Sequence, residues 1–554
     1  MKKIIKNIFS ILSGKEKKRF ITLVITDIFF SVLDITFLAI LLYLVHFYTS
    51  QQQVTIKNAF LFTLINKYPF LPIIIFLVFF SIKNMFGFIV FRDQFRFVYQ
   101  VASRLSRDNA ARYLSGNFND YVSLDSSVHI RKIGQHPIEF GFYILGGLQQ
   151  IISQSILISI TVIAILIYNP VLFPLLLLVL TPPVILSGIL FKKKIQSIRK
   201  IAKNINEKVL QNLHEAISGF VESNIYDRKD FFISRYYKQQ ATSNYFQAEQ
   251  QSMQNMPGRM MEIFAILGFA ILIVINSFTA KTNIIQITTL GAFLAAAYKI
   301  IPGIVKILNS AGQMKTFSFV TDALLKNISH EKIKNSIHST DPISSIALKN
   351  IFFNYYDRSI LNNFSLNIEK GEIAGIGGSS GKGKTTIINL LLGFLDPSAG
   401  EIYINNAKAN LQERQKFWNK IAYAKQQSFF IHDTLLKNIL LDDEKYDAQK
   451  LNEIISITGA DKIINAHAEG LQYIIEENGK NISGGERQRI VFARTLYKEA
   501  DLIILDEPFT ELDETSELNM IRHLQQLAKK GKMIILITHN KKSFDHCNKI
   551  ISLD

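Results

Sequence analysis

Gly378-Ser379-Ser380-Gly381-Lys382-Gly383-Lys384-Thr385 is the stretch on which the rest of the chain turns. Its spacing is G-x-x-x-x-G-K-[ST], the phosphate-binding loop of nucleotide-dependent ATPases. A nucleoside triphosphate crowds several negative charges together. Glycines let successive backbone N–H groups turn inward around them. Lys384 reaches for the β- and γ-phosphates, and the Thr385 hydroxyl is placed to hold Mg²⁺. The flanks agree with the loop. Residues 372–376 (EIAGI) predict a short buried strand, and 386–392 (TIINLLL) predict the helix whose N-terminus favours phosphate. Gly378, Ser379, Ser380, Gly381, Lys382, Gly383, Lys384, Thr385 and Thr386 are therefore the expected phosphate-binding residues.

Downstream, 502–508 (LIILDEP) reads as a buried strand ending in two carboxylates. Asp506 is expected in the Mg²⁺ shell, and Glu507 as the general base that polarises the attacking water. A second apolar strand, 534–538, ends at His539, expected against the γ-phosphate. Such a histidine taken alone is more often structural.

The chain has 554 residues, which predicts more than one domain. It is 48% hydrophobic and carries 42 Phe and a net charge of +17. The long apolar runs fill the first three-fifths. The remainder reads as a soluble α/β domain. A nucleic-acid partner is one reading of the charge. The basic residues sit beside the apolar runs, however, so basic cytoplasmic loops of a membrane protein are the better reading, with no nucleic acid involved. The single cysteine, Cys547, excludes an intrachain disulfide framework.

In chain order, residues 1–19 alternate Lys2, Lys3, Lys6 and Lys15 with Ile4, Ile5, Ile8 and Ile11, which predicts an amphipathic helix on the cytoplasmic membrane face. No cleavable signal is expected there. Residues 20–323 hold about six segments apolar enough to cross a bilayer, near 20–48, 70–91, 143–168, 171–191, 260–278 and 287–308. Pro174, Pro182 and Pro183 predict kinks in the fourth. Lys and Arg crowd the N-terminal segment and the long loops 92–139 and 192–259, which places these and both termini in the cytoplasm. Apolar spacing at Val209, Leu210, Leu213, Ile217 and Val221 predicts that the loops are helical. A short outer helix or, equally, a disordered loop is expected at 54–68, a polar linker at 324–345, and the nucleotide-binding domain at 346–554.

Between the phosphate loop and the carboxylates lies Asn481-Ile-Ser-Gly-Gly-Glu-Arg-Gln488. It resembles the L-S-G-G-Q signature of ATP-binding cassette (ABC) proteins. Other marks of that family follow in order. Tyr355 resembles the aromatic that stacks on adenine. Gln426 resembles the glutamine linking Mg²⁺ and water to the membrane domain. Glu477 and Gly479 resemble an exporter-type loop, and Asp513 the D-loop aspartate. The resemblance implies an α-helical exporter-type membrane domain followed by an α/β phosphate-loop ATPase domain. It implies ATP and Mg²⁺ as ligands, with Thr385, Gln426 and Asp506 around the metal and Glu507, His539 and Gln426 in catalysis. It also implies a homodimer in a bacterial inner membrane. There Ser483, Gly484, Gly485 and Glu486 would close over the partner's ATP, and coupling helices near 117–127 and 213–227 would press on the cassettes. This chain departs from the pattern at Ile482, Glu486, Lys382 and Lys425.

A second resemblance concerns the cargo. Ser31-Val-Leu-Asp34, Lys83-Asn84, Pro257-Gly-Arg-Met-Met-Glu262 and Ala297-Tyr-Lys-Ile-Ile-Pro302 look like segments of bacterial ABC flippases for lipid-linked oligosaccharides. That resemblance implies an amphipathic, anionic lipid-linked substrate in a cavity lined by Lys83, Arg259 and Lys299. Structural pairing is the alternative, since Asp34 is placed to meet Lys83 and Glu262 lies one helical turn from Arg259. Export of a peptide or natural product, export of a lipid or drug, and a non-transporting ATP-gated regulator remain alternatives.

Overall fold

The computed structural model describes residues 1–49, 67–116, 118–123, 125–168, 170, 172–279, 287–330, 338–355, 358–379, 381–442 and 445–553. These fall into two compact units. The first holds residues up to 116 and from 123 to 334. The second holds the residues from 335 onward together with 118–122. The outer helix expected at 54–68 lies almost wholly outside the described residues, as does Ser380.

The first unit is helical. It opens with α1 (Lys2–Ile11), α2 (Gly14–Thr49) and α3 (Leu71–Leu114). After the short α4 (Phe118–Ser123), most of which belongs to the second unit, comes α5, a helical run over 126–168 with π-helical turns at Arg131–Gln135 and Phe140–Leu145. Then come α6 (Leu172–Ser218), α7 (Phe220–Ile225), α8 (Lys229–Thr279), α9 (Ile287–Thr316) and α10 (Ser318–His330). Among the described residues, stretches of α2, α3 and α5 are long and apolar enough to cross a membrane. At about 1.5 Å per residue, the 44-residue α3 measures about 66 Å, roughly twice a hydrocarbon core, so one end must project beyond it. Its first half exposes Phe79, Met85, Phe86 and Phe88, while its second half buries Phe97, Val101 and Leu105. Helix α6 runs through Pro182 and Pro183 without a break, and α6 packs along α8 while α5 packs along α9.

Two expectations change. Part of the apolar face of α1 packs against protein, while Ile4, Ile5 and Phe9 are only partly covered. Ile8, Ile11 and Leu12 are buried with Phe97, Leu105, Phe140, Val320 and Leu324. Asn7 and Lys3 reach Asp322 of α10 at 3.3 and 3.5 Å. The same stripe of isoleucines serves a protein core because α10 supplies a matching apolar face. The linker expected from 324 also begins as structure: α10 continues to His330, with Leu324 fully buried.

The second unit contains an antiparallel sheet ordered β2-β1-β4-β5 and a parallel sheet ordered β11-β3-β10-β9-β6. The strands are β1 (Ser345–Tyr355), β2 (Arg358–Glu369), β3 (Ile373–Gly377), β4 (Ala399–Ile404), β5 (Ala407–Lys408), β6 (Ile421–Ala424), β7 (Asp433–Thr434), β8 (Ile474–Ile475), β9 (Leu502–Asp506), β10 (Met533–Ile537) and β11 (Lys549–Ser552), with β7 and β8 forming a separate pair. Every residue of β3, β9 and β10 is buried. This is the pattern of parallel strands covered on both faces. Alternate residues feed two cores: Ala374, Ile504 and Ile535 on one face, Ile373, Leu505 and Leu536 on the other. The short helix 118–122, from the loop between α3 and α5, clusters with this unit, and Phe118 lies 4.9 Å from Phe394 between ring centroids.

Candidate active site

Strand register sets the site. Ile376 of β3 pairs with Ile537 of β10, Ile537 with Asp506 of β9, and Ala424 of β6 with Leu505. The residues just after these positions therefore emerge side by side at the carboxyl ends of adjacent parallel strands, where open α/β sheets bind ligands. They are the phosphate loop, Glu507, His539 and Gln426.

The loop turns into α11 (Lys384–Leu391) through Gly383, at φ +97°. A Cβ there would stand 2.8 Å from Ile360 Cγ2, so both the backbone angle and the close approach require glycine. Lys384 Nζ donates to the Gly378 carbonyl at 2.7 Å and lies 2.6 Å from His539 Nε2 and 3.8 Å from Glu507 Oε1. His539 Nε2 is in turn 2.9 Å from Glu507 Oε1. Gln426 Nε2 donates to Glu507 Oε2 at 2.6 Å. Glu507 itself holds φ +52°, unusual for a residue with a side chain, and its N–H is tied to the Ile537 carbonyl at 2.9 Å. Lysine, glutamate, histidine and glutamine thus converge on one point.

Asp506 is 6% exposed. Burial, and then the neighbouring Glu507 charge, push its carboxyl above the ordinary carboxylate range. A desolvated carboxylate, a threonine hydroxyl at the start of α11 and an amide whose oxygen is left by Gln426 make a set of hard oxygen donors. That chemistry fits Mg²⁺. Asp506, Thr385 and Gln426 are the residues that would hold it.

The other predicted residues are placed as follows. Tyr355 is 41% exposed and meets Phe353 edge-on at 4.9 Å. Ser379, Gly381 and Lys382 are exposed, whereas Thr386 is buried. Ser483 caps α12 (Gly484–Tyr497), and Glu486 returns the bond to complete a capping box. Asp513 caps α13 (Glu514–Lys529) and lies 3.2 Å from Arg489. Lys83, Arg259 and Lys299 do not form one free basic cluster. Lys83 and Lys299 both pair with Asp34, and Arg259 pairs with Glu262 at 3.3 Å on the exposed face of α8.

Several participants were not singled out from the sequence. Tyr423 donates to Asp506 at 3.4 Å, and Thr510 donates to the Glu507 carbonyl at 2.7 Å. Glu511 lies against Gly484, where a Cβ would fall 1.2 Å from its carboxylate. Tyr423 sits on β6 just before Gln426 and was legible as a neighbour. The Glu511 contact spans two loops and has no spacing signal.

Residues 361–510 match the ABC transporter family. A Rickettsia felis protein described as an export ATP-binding/permease protein is 35% identical over 221 residues, 39% of this chain and 38% of that one. A Saccharophagus degradans ATP-dependent lipid A-core flippase is 35% identical over 214 residues, 38% of this chain and 36% of that one. The chain thus spans less than half the length of these curated relatives. In structure it is similar to a bacterial Atm1-family ABC exporter with ATP bound, with a TM-score of 0.76 over 97% of this chain and 94% of that one, at 17% identity.

Proposed function

We propose that this chain, which has the fold of an ABC exporter and an ABC transporter domain over residues 361–510, hydrolyses ATP to move an amphipathic substrate outward across a bilayer. The observation that carries the reading is the convergence of Lys384, Gln426, Glu507 and His539 at the carboxyl ends of adjacent strands, on a chain whose other unit has membrane-length helices. In this reading Lys384 and the loop amides bind the β- and γ-phosphates. Glu507 accepts a proton from the attacking water, and His539 and Gln426 orient that carboxylate. Mg²⁺, when bound, neutralises charge on the phosphates.

A homodimer follows from the same reading. The capped N-terminus of α12 would face a partner's nucleotide. The exposed Ile217, Phe220, Val221, Ile225 and Tyr226 on and around α7 form an apolar surface that a second copy would cover. A lipid-linked oligosaccharide is the proposed cargo. The sequence segments around Asp34, Lys83, Arg259 and Lys299 support it, although the pairing of both lysines with Asp34 leaves less free positive charge than those segments imply. The bacterial inner membrane, with both termini cytoplasmic, is the proposed location.

The test is reconstitution of the full chain in proteoliposomes with outward-facing cassettes. Added ATP should release phosphate and carry a fluorescent polyprenyl-linked saccharide into the lumenal leaflet, where a membrane-impermeant quencher cannot reach it. ATP hydrolysis without movement of any amphiphile would overturn the transport reading. Absence of hydrolysis would overturn the whole proposal.

A further inference from the structure

The phosphate loop carries two lysines in different situations. Lys384 is buried and engaged: it donates to the Gly378 carbonyl and lies 2.6 Å from His539 Nε2 and 3.8 Å from Glu507 Oε1. Lys382 is exposed, and among the described residues it makes no ion pair and no hydrogen bond. It stands between Gly381, at φ +82°, and Gly383, at φ +97°. A Cβ added at Gly381 would meet nothing within 4 Å, so this crest of the loop faces open space in the single chain. An exposed lysine by itself needs no partner. A complementary charge brought to it is what gives it a role.

That charge lies on the turn after β9. Thr510 ties the turn back to the Glu507 carbonyl at 2.7 Å, the Glu511 N–H donates to Gln488 Oε1 at 3.1 Å, and Asp513 meets Arg489 at 3.2 Å. Gln488 and Arg489 belong to α12, so the turn is fastened to that helix at Glu511 and just beyond it. The Glu511 carboxylate is thereby set against Gly484, in the space that a side chain on Gly484 would take, and its backbone carbonyl faces Gly485. The carboxylate is 51% exposed. Arg487 of its own chain lies 3.7 Å away, beyond hydrogen-bond reach and itself 39% exposed, which makes a weak pair.

The dimer reading brings these two charges together. In it the N-terminus of α12 covers the partner's nucleotide, and that nucleotide lies on the partner's phosphate loop. Glu511, seated at the same N-terminus, is carried to the same loop. Without a counter-charge it would bring a carboxylate up to a triphosphate, and like charges would oppose closure. Lys382 is the lysine of that loop that its own chain leaves unengaged. A two-fold axis then makes the contact twice, once on each side.

We propose that Lys382 pairs with the partner's Glu511 across the bound nucleotide, and that the two pairs fasten the closed dimer. The proposal rests on the dimer reading above and adds which residues of the two copies recognise each other. Both are positioning residues, since they act on closure and leave proton transfer to Glu507.

Charge reversal in mixed dimers tests the pair. Full-length chains bearing two different affinity tags are co-expressed, purified through both tags and placed in nanodiscs. Lys382→Glu on both chains sets carboxylate against carboxylate at each contact, and Glu511→Lys on both sets ammonium against ammonium. Each should raise the ATP concentration for half-maximal phosphate release by about tenfold, the low end for a close interfacial charge pair, with a smaller effect on the maximal rate. A dimer of one Lys382→Glu chain and one Glu511→Lys chain restores opposite charges at both contacts, although each chain by itself holds two like charges. It should return to within about twofold of the parent. A mixed dimer no better than the single variants overturns the pair; that is the result if Lys382 binds its own chain's nucleotide or Glu511 answers only to Arg487. Should a reversal variant fail to fold, Lys382→Cys chains are mixed with Glu511→Cys chains, both carrying Cys547→Ser. A short bismaleimide should then join the two tags with ATP present and not without it, and no ATP-dependent product overturns the pair. Parent chains that yield no doubly tagged complex overturn the dimer reading and the pair with it. Parent dimers that turn over while the mixed dimer stays impaired overturn the pair alone.

Discussion

The two units place their charged residues by different rules. In the second, the charged and polar groups of the candidate ATP site lie at the ends of neighbouring strands, and each is held by backbone that its own short motif dictates. In the first, a charge means little until its partner is known. Asp34 meets Lys83 from 49 residues away and Lys299 from 265 residues away. A phosphate loop works because consecutive amides point one way. A buried lysine is an anion site or half of a salt bridge according to what a distant helix brings to it.

The sharpest test of the first rule is Glu507→Gln. The amide keeps the shape and the Gln426 contact but cannot take a proton. Phosphate release should fall by about 10²–10⁴-fold, the usual contribution of a general base, with binding of a fluorescent ATP analogue retained. Wild-type turnover would remove Glu507 from its role and leave the strand-end geometry without chemistry.

For the second rule the test is Asp34→Ala. The Lys83 side chain is only 9% exposed, and Lys299 24%. Stranding both cations should cost about 2–4 kcal/mol, somewhat below the range for fully buried pairs because Asp34 is itself 29% exposed. Thermal unfolding in nanodiscs reads this directly. An unchanged melting temperature would mean that the lysines do not depend on Asp34. They would then be free to hold an anionic cargo, and the contrast between the units would weaken.

A smaller effect is expected within the cassette. Gly375 lies in the middle of β3, where a Cβ would meet Phe544 Cδ1 at 2.7 Å and Cys547 Sγ at 3.0 Å. Gly375→Ala should destabilise by about 1–3 kcal/mol through overpacking, visible as a lowered melting temperature with Lys384 and Glu507 untouched. No loss would mean that the helix holding Phe544 shifts freely, and that the site tolerates looser support than its register implies.

These particulars show what a sequence can carry. Lys384, Asp506, Glu507 and His539 were legible because loop, strand and spacing are all local, and register then needed only the parallel order. Gln426 was legible only through resemblance. The N-terminal stripe at Ile8 and Ile11 correctly predicted a helix but not its neighbour: periodicity reports that a face is apolar, not whether lipid or α10 covers it. The same limit applies to the linker, where polar composition at 326–334 concealed the buried Val320 and Leu324 that carry α10 forward.

The smallest effect concerns Glu486, which departs from the signature where glutamine is usual. In the fold its carboxylate accepts from the Ser483 N–H at 2.7 Å and from the Ser483 hydroxyl at 2.8 Å, while the Ser483 oxygen accepts from the Glu486 N–H at 3.3 Å. Glutamate and glutamine serve equally at the third position of a capping box. Glu486→Gln should therefore leave the stability to unfolding within about 0.5 kcal/mol of the parent, whereas Glu486→Ala, which cannot return the bond, should cost about 1 kcal/mol. If the glutamine variant fell as far as the alanine, charge against the helix dipole rather than the reciprocal bond would be holding this turn. The signature would then follow the partner-dependent rule of the helical unit instead of the local rule of its own.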